Sequence, residues 1–212
     1  MSVLANSNPA YLLEQILDAT REYLKSNAPV IDAFTGGVLE TELSLKLPIA
    51  KRVSAVALLK SVPIRADDIT QSVVKKIIAA KDVLEWQQSY TEADGFDADY
   101  LSRYGWFNLI SPEGPYVCDS LRISVGYWGE GLYYTEHWHE PEEYYLVLAG
   151  EATFLSEGHP PNKCAPGDII HHQSNQPHAI DMTPGPLLAM AIWRGGDLVA
   201  KSGLPEGRVT HE

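Results

Sequence analysis

At 212 residues, with 45% hydrophobic and 21% charged, the chain can bury one sizeable core and does not read as disordered. Its formal net charge of −12 argues against nucleic acid or an anionic membrane as partner, since both need clustered Lys/Arg. Cys118 and Cys164 have no metal-like spacing and read as two incidental buried thiols, and no apolar run approaches the ~18 residues of a membrane span.

In chain order, Met1 to Asn8 lacks the basic start and apolar stretch of a signal peptide, which points to a cytoplasmic protein. Asn8-Pro9 reads as a helix start, with Asn8 as N-cap and Pro9 in the first turn, where its missing N–H costs nothing. Leu12, Leu13, Ile16, Leu17, Tyr23 and Leu24 follow at helical spacing, and Gly36-Gly37 marks a loop. Ala50 to Leu59, between Pro48 and Pro63, is predicted as a second helix. A third begins with Asp67 and Asp68 and carries the stripe Ile69, Val73, Val74, Ile77, Ile78, Val83 and Leu84. All three stripes read as core packing, so residues 1–98 are expected to form a helical region packed on the remainder of the chain.

The pattern changes near residue 95, and from Trp106 onward the apolar runs shorten. Ser120 to Tyr127, Tyr144 to Leu148, Ala152 to Leu155, Asp168 to His171 and Leu187 to Trp193 read as strands. Turn signals such as Gly158-His159-Pro160-Pro161, Pro166-Gly167-Asp168 and Pro184-Gly185-Pro186 separate them. Such spacing predicts a sandwich or barrel over residues 99–212 rather than a parallel α/β sheet.

The chemistry lies in the stretch from Gly131 to Gly150. Alternate strand residues share a face, so His137 and His139 can both point inward, while Glu143 follows a Glu-Pro-Glu corner and Tyr145 lies two residues further on. Two imidazoles and a carboxylate suit Fe(II), Zn, Mn, Ni or Co and leave positions open for substrate. His171 and His172 are expected to be structural, and His159 and His211 to lie on the surface.

Gly131, His137-x-His139, Glu143 and Gly150 stand at the spacing of the first cupin motif, and Pro166-Gly167-Asp168 with His178 beyond it resembles the second. Gln173, Asn175 and Met182 depart from it at turn positions where a proline, a glycine and an asparagine are usual. The resemblance implies a double-stranded β-helix barrel with an N-terminal helical extension, holding one divalent transition metal on His137, His139, Glu143 and His178. It leaves open whether His137 ligates directly or lines the pocket.

Within the cupins, His-x-His-x-x-x-Glu-x-Tyr with a distant histidine resembles the dimethylsulfoniopropionate lyases over roughly Tyr104 to Gly195. That resemblance implies a carbon–sulfur lyase splitting a small zwitterionic sulfonium substrate into dimethyl sulfide and acrylate, in a protein that could form a homo-oligomer. Tyr145 is the expected base, and Tyr134 is expected to orient the substrate carboxylate. Trp193 and neighbouring tyrosines, Tyr133 among them, would hold the sulfonium through cation–π contacts of about 0.5–2 kcal/mol each. A cupin dioxygenase acting on a small organic acid or thiol is the alternative. A sugar-phosphate isomerase is disfavoured because residues 123–193 contain Lys163 as their one basic side chain. A non-enzymatic binding cupin would not need the intact ligand set.

Overall fold

A computed structural model describes residues 8–65 and 68–205; Met1–Ser7, Asp67 and His211, on which the sequence placed expectations, lie outside them. The first helix, α1 (Pro9–Asn27), starts as its sequence predicts, with the Asn8 side chain accepting from the Ala10 amide. Its stripe is buried, and each such Leu or Ile contributes roughly 1.5–3 kcal/mol. A short α2 (Pro29–Phe34) comes next. The predicted second helix is instead a 3₁₀ helix, Ser54–Ser61. Val56, Leu59 and Val62 are buried at three-residue spacing, the period a 3₁₀ turn presents to one side. The third helix, α3 (Gln71–Ala80), begins later than expected; Ile69 precedes it and is 58% exposed, and Val83 and Leu84 lie beyond its end. A further short helix, α4 (Ala98–Arg103), is capped by Asp97.

The strands are β1 (Tyr104–Ser111), β2 (Tyr116–Val117), β3 (Arg122–Trp128), β4 (Tyr133–His137), β5 (Glu142–Gly150), β6 (Ala152–Ser156), β7 (Asn162–Cys164), β8 (Ile169–His172), β9 (His178–Asp181) and β10 (Leu187–Arg194). They form a six-stranded sheet, β2-β1-β3-β10-β5-β8, and a four-stranded sheet, β4-β9-β6-β7, the two layers of a cupin barrel. Sequence patterning marks β3, β5, β6, β8 and β10 and treats the stretch through His137 as strand, but it gives no strands for β1, β2, β7 and β9.

Alternation along the large sheet sorts its residues into two cores. Ile123, Val125, Leu146, Leu148, Leu188, Met190 and Ile192 face outward and share one apolar cluster with α1 and α3. Val147, Leu187, Ala189 and Ala191 face the barrel interior with Tyr134 and Tyr145. Both faces are therefore covered, which explains why β5 and β10 read as nearly continuous apolar runs. Cys164 is buried, whereas Cys118 is only partly so, and both are free thiols. Among the described residues no helix is long and apolar enough to cross a membrane.

Two motif glycines do different work. Gly150 has φ +82°, and a Cβ there would sit 1.7 Å from the Pro186 carbonyl oxygen, in the turn that feeds β10. Gly131 has φ +77° with nothing within 4 Å of such a Cβ. Gly131→Ala should therefore cost about 1–2 kcal/mol for conformation alone, and Gly150→Ala about 3 kcal/mol or more because backbone must also move. Urea unfolding midpoints measure the difference; equal losses would contradict the close approach of β5 and β10.

Candidate metal centre

Four side chains predicted from spacing converge between the two sheets. His137 ends β4 and pairs with His178 at the start of β9, so two imidazoles face each other across one ladder. His139 lies just beyond β4, in the corner leading to β5. Glu143, on β5, has Trp193 and His172 as its cross-strand neighbours. His137, Glu143 and His178 are each 1% exposed, and His139 is 6% exposed.

The three imidazoles are aimed by their own backbone. Nδ1 of His137 donates to the Thr135 carbonyl, Nδ1 of His139 to that of Pro141 and Nδ1 of His178 to that of Gln176, each at 2.8 Å. With Nδ1 carrying the proton, the Nε2 lone pair of each ring points inward, and tautomer and orientation are set together. Ligand atoms of His137, His139 and His178 lie within 4.8 Å of one another, as do those of Glu143, His172 and His178. Asn175, in the turn before His178, takes φ +59° where a glycine is usual, a conformation asparagine tolerates. Its amide donates to the His139 carbonyl at 2.8 Å, tying the two ligand-bearing loops together.

Glu143 Oε2 lies 3.3 Å from Nε2 of both His139 and His178, and His178 Nε2 is buried without a hydrogen-bond donor. Lone pairs facing a carboxylate oxygen at that distance repel unless a cation or proton lies among them, so the donor set fits a divalent ion. Burial pushes the Glu143 carboxyl up, but His139, His172 and His178 outweigh it and hold it well below the usual carboxylate range. Burial and the neighbouring His178 hold His137 well below the ordinary imidazole value, keeping its lone pair available. At His139 burial acts downward, yet Glu143 wins and holds the ring above its ordinary value.

Sequence reasoning placed His172 as structural without seeing its task. His172 Nδ1 donates to Glu143 Oε2 at 3.1 Å, its Nε2 accepts from Ser156 Oγ at 3.0 Å, and its ring stacks on His178 at 3.9 Å. From the other side Trp193 Nε1 donates to Glu143 Oε1 at 2.5 Å. His171 points away and bonds Glu142 near the surface, and His159 is exposed.

Beside the centre lies a cavity of about 250 Å³ lined by Tyr104, Trp128, Tyr134, Tyr145 and Trp193 and walled by residues 199–202. Tyr145 and Tyr134 are buried, and burial pushes both phenols well above their usual range; for Tyr145 the charge of Glu143 adds to the effect. Tyr134 Oη shares a 3.1 Å hydrogen bond with Tyr90 Oη, so the segment after α3 helps build the pocket.

Two expectations change. Tyr133 does not join the pocket: β4 bulges between Tyr134 and His137, which reverses the alternation, and Tyr133 lines an outer depression with Glu136 and His159. Nor is the pocket without an arginine: Arg122, one residue before the span 123–193, lines this cavity. Its signal was legible in β3, where Arg122, Ser124, Gly126 and Trp128 alternate with Ile123, Val125 and Tyr127.

Comparison with known proteins agrees with this geometry. A profile of the dimethylsulfoniopropionate (DMSP) lyase family matches residues 33–189. The chain is 35% identical over 208 residues to dimethylsulfoniopropionate lyase DddQ of Ruegeria pomeroyi, covering 97% of this chain and 100% of that one. A solved chain reported with the DMSP lyases RdDddP and RnDddQII superposes with a TM-score of 0.87 at 34% identity, covering 94% of this chain and 100% of the other. DMSP lyase DddQ from Ruegeria pomeroyi DSS-3 superposes with a TM-score of 0.81 at 34% identity, covering 93% and 98%.

Because Glu143 raises the affinity of the His139 ring for a second proton, metal loading should release more protons, and metal affinity should fall, as pH is lowered through the imidazole range. Titration calorimetry in two buffers of different ionisation enthalpy reads the release; none would mean that the His139 proton is not displaced by the ion. His172→Ala should weaken metal binding about 10–100-fold, whereas His171→Ala should leave it unchanged, as judged by competition with a chromophoric chelator.

Proposed function

The chain belongs to the dimethylsulfoniopropionate lyase family, and from that premise we propose that it splits DMSP into dimethyl sulfide and acrylate by β-elimination at the centre described above. The observation that carries this reading is the placing of Tyr145. It lies two residues beyond Glu143 on β5, and opposite it stand Ala191 and Ile170, so its ring enters the aromatic cavity rather than meeting bulk across the sheet.

The α-proton of DMSP is very weakly acidic, so the reaction needs a base and stabilisation of charge on the carboxylate. When bound by His137, His139, Glu143 and His178, a divalent ion (Fe(II), Zn, Mn, Ni or Co) supplies Lewis acidity to the carboxylate and favours a phenolate at Tyr145. The Tyr145 oxygen takes the α-proton. The carbon–carbon double bond forms, the carbon–sulfur bond breaks and its electron pair leaves on sulfur as neutral dimethyl sulfide. Burial of Tyr145 suits this task, since the phenol stays protonated until charge beside it compensates its desolvation.

The sulfonium fits the rings of Tyr104, Trp128 and Tyr134 better than that of Trp193. Those three lie 5.6–6.1 Å apart, centroid to centroid. The ring of Trp193 already carries the Arg122 guanidinium at 4.6 Å and the His139 imidazole at 4.1 Å, which disfavours a further cation there. In this reading Trp193 positions Glu143, and Tyr134 faces the substrate with its hydroxyl fixed by Tyr90. The small size of the cavity agrees with an enzyme acting on a small molecule.

Metal-loaded protein given DMSP should release dimethyl sulfide into the headspace without consuming oxygen; absence of the gas would sink the lyase reading, and oxygen uptake would favour a dioxygenase. Tyr145→Phe should lower turnover about 10²–10⁴-fold with metal content unchanged, and a variant as active as the parent would remove Tyr145 from the role of base.

A further inference from the structure

Arg122 opens β3 with its guanidinium between two indoles, 4.8 Å from the ring of Trp106 and 4.6 Å from that of Trp193. Its Nε donates to Asn108 Oδ1 at 3.2 Å and its Nη1 to the Leu198 carbonyl at 3.0 Å. The fork is thus held from behind, and its Nη2 edge has no partner among the described residues. Arg122 lines both the inner cavity and a larger outer one of about 490 Å³, and so stands where the two meet. Burial lowers its pKa from the ordinary guanidinium value, and Tyr104, Glu143, Tyr134 and Tyr145 offset this only in part.

The other cation of this cavity is committed elsewhere. Lys201 Nζ pairs with Asp94 Oδ1 at 2.7 Å and lies over the Tyr90 ring. Glu113 lines the same mouth but makes no ion pair with Arg122. A guanidinium fixed in position, with an open edge and no carboxylate on it, is suited to an anion of fixed geometry.

We propose that Arg122 is the group that recognises the carboxylate of the substrate and so sets which end of the zwitterion enters the centre. The inference rests on the lyase reading for the identity of the substrate, but the anion-binding role does not. A sulfonium set against the guanidinium would meet a like charge in a poorly solvated site, whereas a carboxylate there meets an opposite one. During proton removal, charge grows on the carboxylate, so the same contact tightens in the transition state. Its planar fork also favours a carboxylate over a neutral amide or ester.

The test measures binding of acrylate, a carboxylate without a sulfonium, and of trimethylsulfonium, a sulfonium without a carboxylate, to metal-loaded protein by calorimetry. Arg122→Gln should weaken acrylate, and raise KM for DMSP, by roughly 10–100-fold. Trimethylsulfonium affinity and metal stoichiometry should stay unchanged. Arg122→Lys, which keeps the charge and the packing stem, should recover part of the loss and serves if the glutamine variant does not fold. Unchanged acrylate binding would overturn the proposal. So would equal weakening of both ligands, or loss of metal, since each would show Arg122 acting only through Trp193. If the parent protein releases no dimethyl sulfide yet binds acrylate through Arg122, the lyase reading fails and the anion site stands.

Discussion

A carboxylate taken out of water costs several kcal/mol unless donors or cations replace the solvent, and Glu143, 1% exposed, sets that demand between the two sheets. Register supplies part of the answer: its neighbours on β10 and β8 are Trp193 and His172, and both donate to it. The remainder falls to the space between Oε2 and the Nε2 atoms of His139 and His178, where only something positively charged fits. Strand pairing, tautomer and ligand geometry are in this sense one arrangement. A slip of one residue in β5 would turn Glu143 and Tyr145 outward together and send Tyr144 into the barrel.

The helical layer makes that register hard to change. By covering the outer face of β3, β5 and β10 it gives every second residue of these strands an apolar partner, while the interior face is left to the pocket. The helices also lead into the segment that brings Tyr90 to Tyr134 and Gln87 to Trp106, so the N-terminal half contributes to the reaction chamber as well as to stability.

Much of the centre was legible because its determinants are local. His137, His139 and Glu143 lie within seven residues, between two motif glycines that both take positive φ. The features that escaped the sequence depend on partners far along the chain. The bulge that puts Tyr134 inside and Tyr133 outside exists only because β4 pairs with β9. The task of His172 comes from lying beside Glu143, twenty-nine residues away. Arg122 belongs to the pocket because β3 lies against β10, which sets its guanidinium on Trp193. The Ser54–Ser61 segment was misread for the opposite reason: a short apolar stretch satisfies periods of 3 and 3.6 almost equally, and packing chose between them.

Trp138 stands between His137 and His139 and exchanges two backbone hydrogen bonds with Gly203, at 3.2 and 2.8 Å. The peptide between two of the ligands is therefore anchored to the stretch that follows β10, well outside the motif that supplies them. The bite of the histidine pair is thus set in part by backbone more than sixty positions downstream, where a change of side chain can be neutral but a change of chain path cannot.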